Sequence, residues 1–98
     1  MQFVQMIEFR SSQIDEMRKV ASEMEGRGDI ETSPSRIVLA QDRDNPGRYL
    51  NIVFFDSYEK AMENSSRPDI NEFAQRMMAL ADGPPTFHNL DVLDDRAP

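Results

Sequence analysis

The segment at residues 48–55, RYLNIVFF, is apolar in both of its alternating registers. One register holds Leu50, Ile52 and Phe54, and the other holds Tyr49, Val53 and Phe55. Because successive side chains of a strand point to opposite faces, such a strand needs cover on both sides. A single layer of helices covers one face only, and an apolar patch of several hundred Å² left on the other face usually marks an interface. We therefore predict a sheet with helices on one face and a homodimer joined through the other.

The first part of the chain predicts a strand followed by a helix. Residues 2–9, QFVQMIEF, are rich in apolar residues in both registers and predict the strand. Ser11 and Ser12 have side-chain oxygens able to cap the start of a helix, and Gly26 and Gly28 suit its end. The apolar face of this helix comprises Ile14, Met17, Val20, Ala21 and Met24, which recur at helical spacing.

The middle of the chain predicts two antiparallel strands. Residues 35–42 and 48–55 are rich in β-branched and aromatic side chains. The sequence Asn45-Pro46-Gly47 lies between them and is a strong turn signal. We expect these two strands to be neighbours in the sheet.

The last part of the chain predicts a short helix, a break, a longer helix and a strand. Asp56 or Ser57 caps the short helix, which we expect to run through Met62. Pro68 disfavours helix in the residue before it and suits the start of the longer helix. The apolar face of that helix comprises Ile70, Phe73, Ala74, Met77, Leu80 and Ala81. Residues 86–93, TFHNLDVL, predict the final strand.

The order strand, helix, strand, strand, helix, strand corresponds to a ferredoxin-like α+β fold. This βαββαβ plan has a four-stranded antiparallel sheet with helices on one face. We predict a single domain over residues 1–93 and a polar C-terminal tail over residues 94–98. A chain of 98 residues suits one modest core.

Composition excludes several classes of function. The 18 acidic and 11 basic residues give a net charge of −7, and the arginines are scattered, so we expect no binding to nucleic acid. The absence of cysteine excludes disulfides and thiolate metal sites. We also expect no metal, no membrane span and no signal peptide, and we predict a cytoplasmic protein.

Few residues of the chain have side chains suited to catalysis. His88 is the only histidine, and its imidazole has the intrinsic pKa of a general base, although a structural or surface position is the alternative. Asn51 lies between apolar neighbours on a predicted strand, where its amide could stabilise a developing anion. Tyr49 shares its register and could add a hydroxyl or simply pack. Glu8 lies in an apolar register, either at an exposed strand end or as a paired carboxylate.

Four further residues are candidates for substrate binding. Asn64 and Tyr58 lie on the predicted short helix, where helix-end hydrogen bonding is the alternative role for the asparagine. Arg36 and Arg76 could bind an anionic group by bidentate contacts, or remain solvated.

The run FDSYEKAMENS at residues 55–65, together with the order of elements and the two-sided third strand, resembles the dimeric α+β barrel superfamily. The most similar branch is the antibiotic biosynthesis monooxygenase-like domain. The resemblance implies a homodimer whose two sheets close a barrel, with a cleft in each subunit between sheet and helices. Many members have a tryptophan near the position of Phe55 and a histidine near that of Asn64, and this chain has neither. The haem-degrading branch is therefore disfavoured.

The resemblance implies one of two functions. The first is a cofactor-independent monooxygenase acting on an electron-rich aromatic or quinol-type molecule, with His88, Asn51 and Tyr49 as catalytic residues. The second is a non-catalytic dimer that binds a small hydrophobic ligand or serves in assembly.

Overall fold

A computed structural model describes residues 1–23 and 33–97. Its elements, in chain order, are β1 (Phe3–Arg10), α1 (Ile14–Ser22), β2 (Arg36–Gln41), β3 (Arg48–Phe55), α2 (Tyr58–Ser65), α3 (Pro68–Met78) and β4 (Thr86–Asp91). The predicted helix end at Gly26 and Gly28 lies outside the described residues. Helix α2 continues past Met62, where the sequence predicted its end, and closes at Ser65.

The four strands form one antiparallel sheet with the order β2-β3-β1-β4. Strands β1 and β3 are central, and their register sets Phe3 opposite Phe55 and Phe9 opposite Tyr49. This topology confirms the predicted ferredoxin-like α+β fold.

The connections use the turn and capping residues that the sequence indicated. Gly47 has φ of 91°, a conformation that glycine adopts without steric cost, and the Arg48 N–H donates to the Asn45 carbonyl at 3.1 Å. At the start of α2 the Ser57 hydroxyl accepts a hydrogen bond from the Lys60 N–H at 3.2 Å. Ser57, and not Asp56, is therefore the cap.

Ser11 links two helices instead of capping one directly. Its buried hydroxyl accepts from the N–H of Gln13, the residue before α1, at 2.9 Å. The same hydroxyl donates to the carbonyl of Leu80, just beyond α3, at 2.8 Å. The start of α1 is thus fixed to the end of α3.

The helices pack on one face of the sheet through two clusters of buried residues. The first cluster contains Phe3, Val53, Phe55 and Ala61, with Met62 packed against it. The second cluster contains Phe9, Met17 and Tyr49, with Ile7, Ile14, Met77, Leu80 and Ala81 packed against it. All of their strand residues belong to one alternating register, which we call the helix side. The prediction of helices on one face is confirmed.

The opposite register forms a second, largely apolar surface, which we call the open face. Its apolar residues are Val4, Met6, Val38, Ala40, Leu50, Ile52, Phe54 and Leu90, and its polar residues include Glu8, Arg36, Arg48 and His88. Within the part of the chain that the structure describes, no helix contributes to a core cluster on this face. The two-sided strand β3 therefore has helices on one side only. None of the described helices is long and apolar enough to cross a membrane.

Candidate functional site

A polar residue interrupts the helix side of the sheet between the two core clusters. The register aligns Leu39, Asn51, Ile7 and Phe87 across the four strands, and we call this set the central row. Leu39 and Phe87, at the two ends of the row, are 42% and 53% exposed. Asn51 is partly buried between Leu39 and Ile7. Its amide is thus a polar group set among apolar neighbours on the helix side.

Asn64 points its side chain inward from α2. It is 6% exposed and lies three residues after the buried Ala61, so the two share one face of the helix. Its Oδ1 atom has no hydrogen-bond partner among the described residues. Its backbone carbonyl accepts from the Arg67 N–H at 3.2 Å and closes the end of α2. Helix-end bonding therefore accounts for the main chain of Asn64 and leaves its buried side-chain oxygen unexplained.

Helix α2 packs on the helix side near the end of β3. It follows β3 after two residues and packs against it. Ala61 and Met62 of α2 pack with Val53 and Phe55 of β3. Asn64, one turn after Ala61, shares the face of α2 that packs on this first cluster.

The two tyrosines pack on phenylalanines of the helix side. Tyr49 is buried and its ring stacks on Phe9, with centroids 5.6 Å apart. Tyr58 is half exposed and meets Phe3 edge to face, with centroids 5.2 Å apart. Both contacts are aromatic packing, and they make the helix side rich in π surface.

His88 lies on the open face, because it pairs with Met6 on the neighbouring strand. Its side chain is 45% exposed, and its Nε2 atom lies 3.7 Å from Glu8 Oε1. The same Glu8 oxygen accepts from Arg48 Nη2 at 2.9 Å, and Arg48 Nη1 contacts Asp42 Oδ2 at 2.8 Å. We call Glu8, Asp42, Arg48 and His88 the Glu8 cluster. Of the two alternatives left open for Glu8, the structure shows the paired carboxylate.

Hydrogen bonds from Arg48 hold Asp42 and Glu8 together within the Glu8 cluster. The Asp44 N–H and the Arg48 guanidinium hold the pKa of Asp42 below its ordinary value. Hydrogen bonds from Arg48 to Asp42 and Glu8 raise the pKa of the guanidinium, which stays charged. An open hollow of about 270 Å³ adjoins the cluster and is lined by Glu8, Arg48 and Asp82, among other residues. With charges of both signs at its wall, the hollow does not have the apolar lining that a flat aromatic molecule requires.

Neither candidate arginine reaches the central row. Arg36 lies in the open-face register of β2, and its Cζ atom is 5.6 Å from the centroid of the Phe54 ring. Arg76 donates to Glu23 at 2.6 Å and joins α3 to the end of α1. Hydrogen bonding and charge attraction from Glu23 raise the pKa of Arg76.

The three residues predicted to be catalytic do not converge. Asn51 and Tyr49 lie on the helix side, whereas His88 lies on the opposite face of the sheet. Asn64 lies on the same side of the sheet as this pair. Gln5 and Asn89 also lie on that side and hydrogen-bond to each other at 3.3 Å, whereas Glu8 lies beside His88. Across residues 1–23 and 33–97, no group of three or more histidine, aspartate or glutamate side chains is arranged to hold a metal ion.

Comparisons with known proteins show the fold. No protein-family model matches the chain, and no curated protein matches it. Among solved structures, SnoaB from Streptomyces nogalater, named a cofactor-independent oxygenase, matches with a TM-score of 0.80 and 14% identity, over 96% of this chain and 95% of that one. A candidate antibiotic biosynthesis monooxygenase from Caulobacter crescentus matches with a TM-score of 0.79 and 14% identity, over 95% and 91%. Rv0793 from Mycobacterium tuberculosis matches with a TM-score of 0.77 and 15% identity, over 99% and 100%.

Several of the matching structures are named as antibiotic biosynthesis monooxygenases, which confirms the resemblance in fold to such proteins. Each match covers nearly the whole of both chains. At 14–15% identity, what is shared is the arrangement of strands and helices.

Proposed function

We propose that this protein is a dimeric monooxygenase that acts on an electron-rich aromatic molecule without metal or flavin. The observation that carries the proposal is the pair of amides, Asn51 and Asn64, on the apolar helix side of the sheet. An apolar surface with a few polar groups is what a flat aromatic ligand requires. The fold shared with SnoaB, which is named a cofactor-independent oxygenase, supports the same conclusion.

The reaction balances without an added reductant when the substrate is a quinol-type molecule with an oxidisable ring CH₂. That carbon loses two hydrogens and becomes a carbonyl. One atom of O₂ enters the product and the other leaves as water, so the substrate supplies all four electrons. The protein's part is to bind the deprotonated substrate and to keep water from it.

The two amides have complementary roles in this reaction. The Asn51 Nδ2–H group is a donor for the oxyanion that forms when the substrate is deprotonated. The Asn64 Oδ1 atom is an acceptor for a substrate hydroxyl. Tyr49 and Tyr58 supply aromatic surface beside them.

The proposal has two versions, which differ in how the substrate loses its proton. The only histidine of the chain lies on the open face, so a substrate on the helix side has to ionise through its own acidity. His88 takes part only if the substrate lies on the open face, between the two sheets of a dimer, where Glu8 would orient the imidazole. We favour the helix side, because both amides lie there.

The open face supports a homodimer. Its apolar residues lie on the central strands β1 and β3 and continue onto both edge strands. Packing one such face against a second copy removes this apolar surface from water, which stabilises the pair.

A second function is the non-catalytic binding of a small hydrophobic molecule. It is favoured by the distribution of the candidate polar residues over the two faces of the sheet. His88 and the two amides lie on opposite faces, which leaves the central row without an imidazole base. The same surface would then bind an aromatic ligand and leave it unchanged.

Oxygen consumption separates the two functions. The protein is mixed with anthrone, whose ring CH₂ is acidified by the neighbouring carbonyl system, and oxygen uptake is corrected for the reaction without protein. Monooxygenation predicts one labelled oxygen atom in each product molecule when labelled oxygen gas is supplied. Ligand-induced thermal stabilisation without oxygen uptake would favour the binding function.

A further inference from the structure

We propose that the open hollow beside the Glu8 cluster binds a small zwitterion of the α-amino acid class. Arg10, Arg48 and Thr86, which line it, are terminal residues of β1, β3 and β4. The hollow therefore lies at the end of the sheet, beyond the apolar middle of the open face. Its volume of about 270 Å³ equals that of about nine water molecules at about 30 Å³ each, which suits a ligand as small as an amino acid. The proposal does not depend on the reaction proposed for the helix side.

The charges that line the hollow balance, and one of each sign is unpaired. The charged lining residues are Arg10, Arg48, Glu8 and Asp82. Arg48 is engaged by Glu8 at 2.9 Å and by Asp42 at 2.8 Å. Within residues 1–23 and 33–97, neither Arg10 nor Asp82 forms a side-chain ion pair. A ligand with one group of each charge is complementary to this pair, whereas a simple anion or cation leaves one member unpaired.

Strand register explains why Arg10 suits a carboxylate. Arg10 lies directly opposite Arg48 on the neighbouring strand. Like charges in this position repel each other. Two carboxylates compensate Arg48, but Arg10 has no carboxylate partner in the described part of the chain. A ligand carboxylate on the Arg10 guanidinium removes that imbalance, and it fits the planar group through two parallel hydrogen bonds.

Asp82 supplies the site for the ammonium group. Its N–H donates to the Arg10 carbonyl at 2.8 Å, so the two residues lie side by side. Its exposed carboxylate accepts hydrogen bonds from a cation. The next residue, Gly83, borders open space, because a Cβ added there would meet no atom within 4 Å. An α-amino acid has its two charged groups on one carbon and therefore matches two adjacent protein charges.

The test is an NMR titration of the isotope-labelled full chain with three probes. L-Alanine has both charges, N-acetyl-L-alanine lacks the ammonium group, and L-alaninamide lacks the carboxylate. We expect L-alanine to shift the amide signals of Gly83 and Thr86 saturably, with a Kd of about 1 mM. Each analogue should bind at least about tenfold more weakly, because it loses one charge-assisted contact.

Variants of the two unpaired residues test the same contacts from the protein side. Arg10→Gln and Asp82→Asn should each raise the Kd of L-alanine about tenfold. The controls are Arg18→Gln and Asp95→Asn, which make the same charge changes at exposed positions of α1 and the C-terminal tail and should leave the Kd unaltered. Because Arg10 and Asp82 are exposed, the thermal unfolding temperature should change little in either variant.

Several results would overturn the proposal. The first is no saturation by L-alanine up to about 50 mM, or shifts confined to amides away from the hollow. Equal binding of N-acetyl-L-alanine would show an anion site, and equal binding of L-alaninamide would show a cation site. An unchanged Kd in both Arg10→Gln and Asp82→Asn would place L-alanine elsewhere. If a variant does not fold, the three probes on the wild type still decide the question.

Discussion

The two faces of the sheet distribute polar and apolar residues in opposite ways. On the helix side, apolar clusters lie towards both ends and the amide of Asn51 lies between them. On the open face, apolar residues such as Met6 and Ile52 occupy the middle, Glu8 and Arg48 lie at one end, and Arg36 lies at the other.

This difference indicates different tasks for the two faces. Burying a polar group in an apolar layer costs free energy unless the group is hydrogen-bonded. The position of the Asn51 amide on the helix side therefore favours a ligand that would hydrogen-bond to it. An apolar centre with a charged margin is the usual anatomy of a protein interface. The distribution supports the proposed ligand site on the helix side and the proposed self-association through the open face.

The largest effect should come from removing the aromatic core of the helix side. Phe55 is buried and contacts Phe3, and Phe55→Ala leaves a cavity in the first cluster. We expect it to lower the free energy of unfolding by about 3–5 kcal/mol, measured by urea denaturation. Phe87→Ala is the matched control, because Phe87 is mostly exposed, and it should cost less than about 1 kcal/mol. Equal losses would show that the first cluster is not a core.

The next effect tests self-association through the open face. Ile52 is paired with Met6 and Val38 near the middle of that face, and Ile52→Glu would bury an unpaired charge in a dimer. We expect the dissociation constant to rise at least about a hundredfold, measured by analytical ultracentrifugation. The control is Ile37→Glu, which adds the same charge at an exposed helix-side position of β2. A dimer weakened only by Ile37→Glu would reverse the assignment of the two faces.

A third experiment asks which face carries the reaction. If the substrate binds on the helix side, Asn51→Leu should lower the rate of oxygen uptake about tenfold through loss of the oxyanion donor. His88→Ala, on the other face, should change that rate less than about twofold. The opposite pattern would place the reaction between the sheets and restore the histidine as the base. Calorimetric binding of 1-naphthol to both variants checks that each retains the ligand surface.

The fold was predictable because its signals are local. Alternating apolar residues, the turn at Asn45-Pro46-Gly47 and the break at Pro68 each act over a few residues, and each appears in the structure at the expected place. The end of α2 was less well predicted, because Ser65 and Ser66 bond back to the preceding turn and extend the helix. Helix ends depend on such individual bonds, which composition does not determine.

The grouping of candidate residues was not predictable, because it depends on strand register. His88 and Asn51 look equivalent as mid-strand polar residues, and only the pairing of β4 with β1 shows that they face opposite ways. Glu8 approaches His88 across that same pair, far from it in sequence. Strand register is set by tertiary packing. A shift of one residue in the pairing of a strand moves each of its side chains to the opposite face of the sheet. The spacing of Ala61 and Asn64 was, by contrast, a usable sequence signal that both face inward.

The smallest effect concerns the charged margin of the open face and its dependence on pH. The pKa of Asp42 is lowered by the Asp44 N–H and by Arg48, so the folded state holds the proton less tightly than the unfolded state does. The stabilisation is therefore present above the unfolded pKa of about 3.9 and is lost as pH falls through the folded value. We expect Asp42→Asn to lower the urea midpoint slightly at pH 7, with the difference from wild type shrinking towards pH 3. The control is Asp44→Asn, which removes an equal charge and keeps the Asp44 N–H donor. A change in its urea midpoint of similar size and pH dependence would attribute the effect to net charge instead of the Asp42–Arg48 contact.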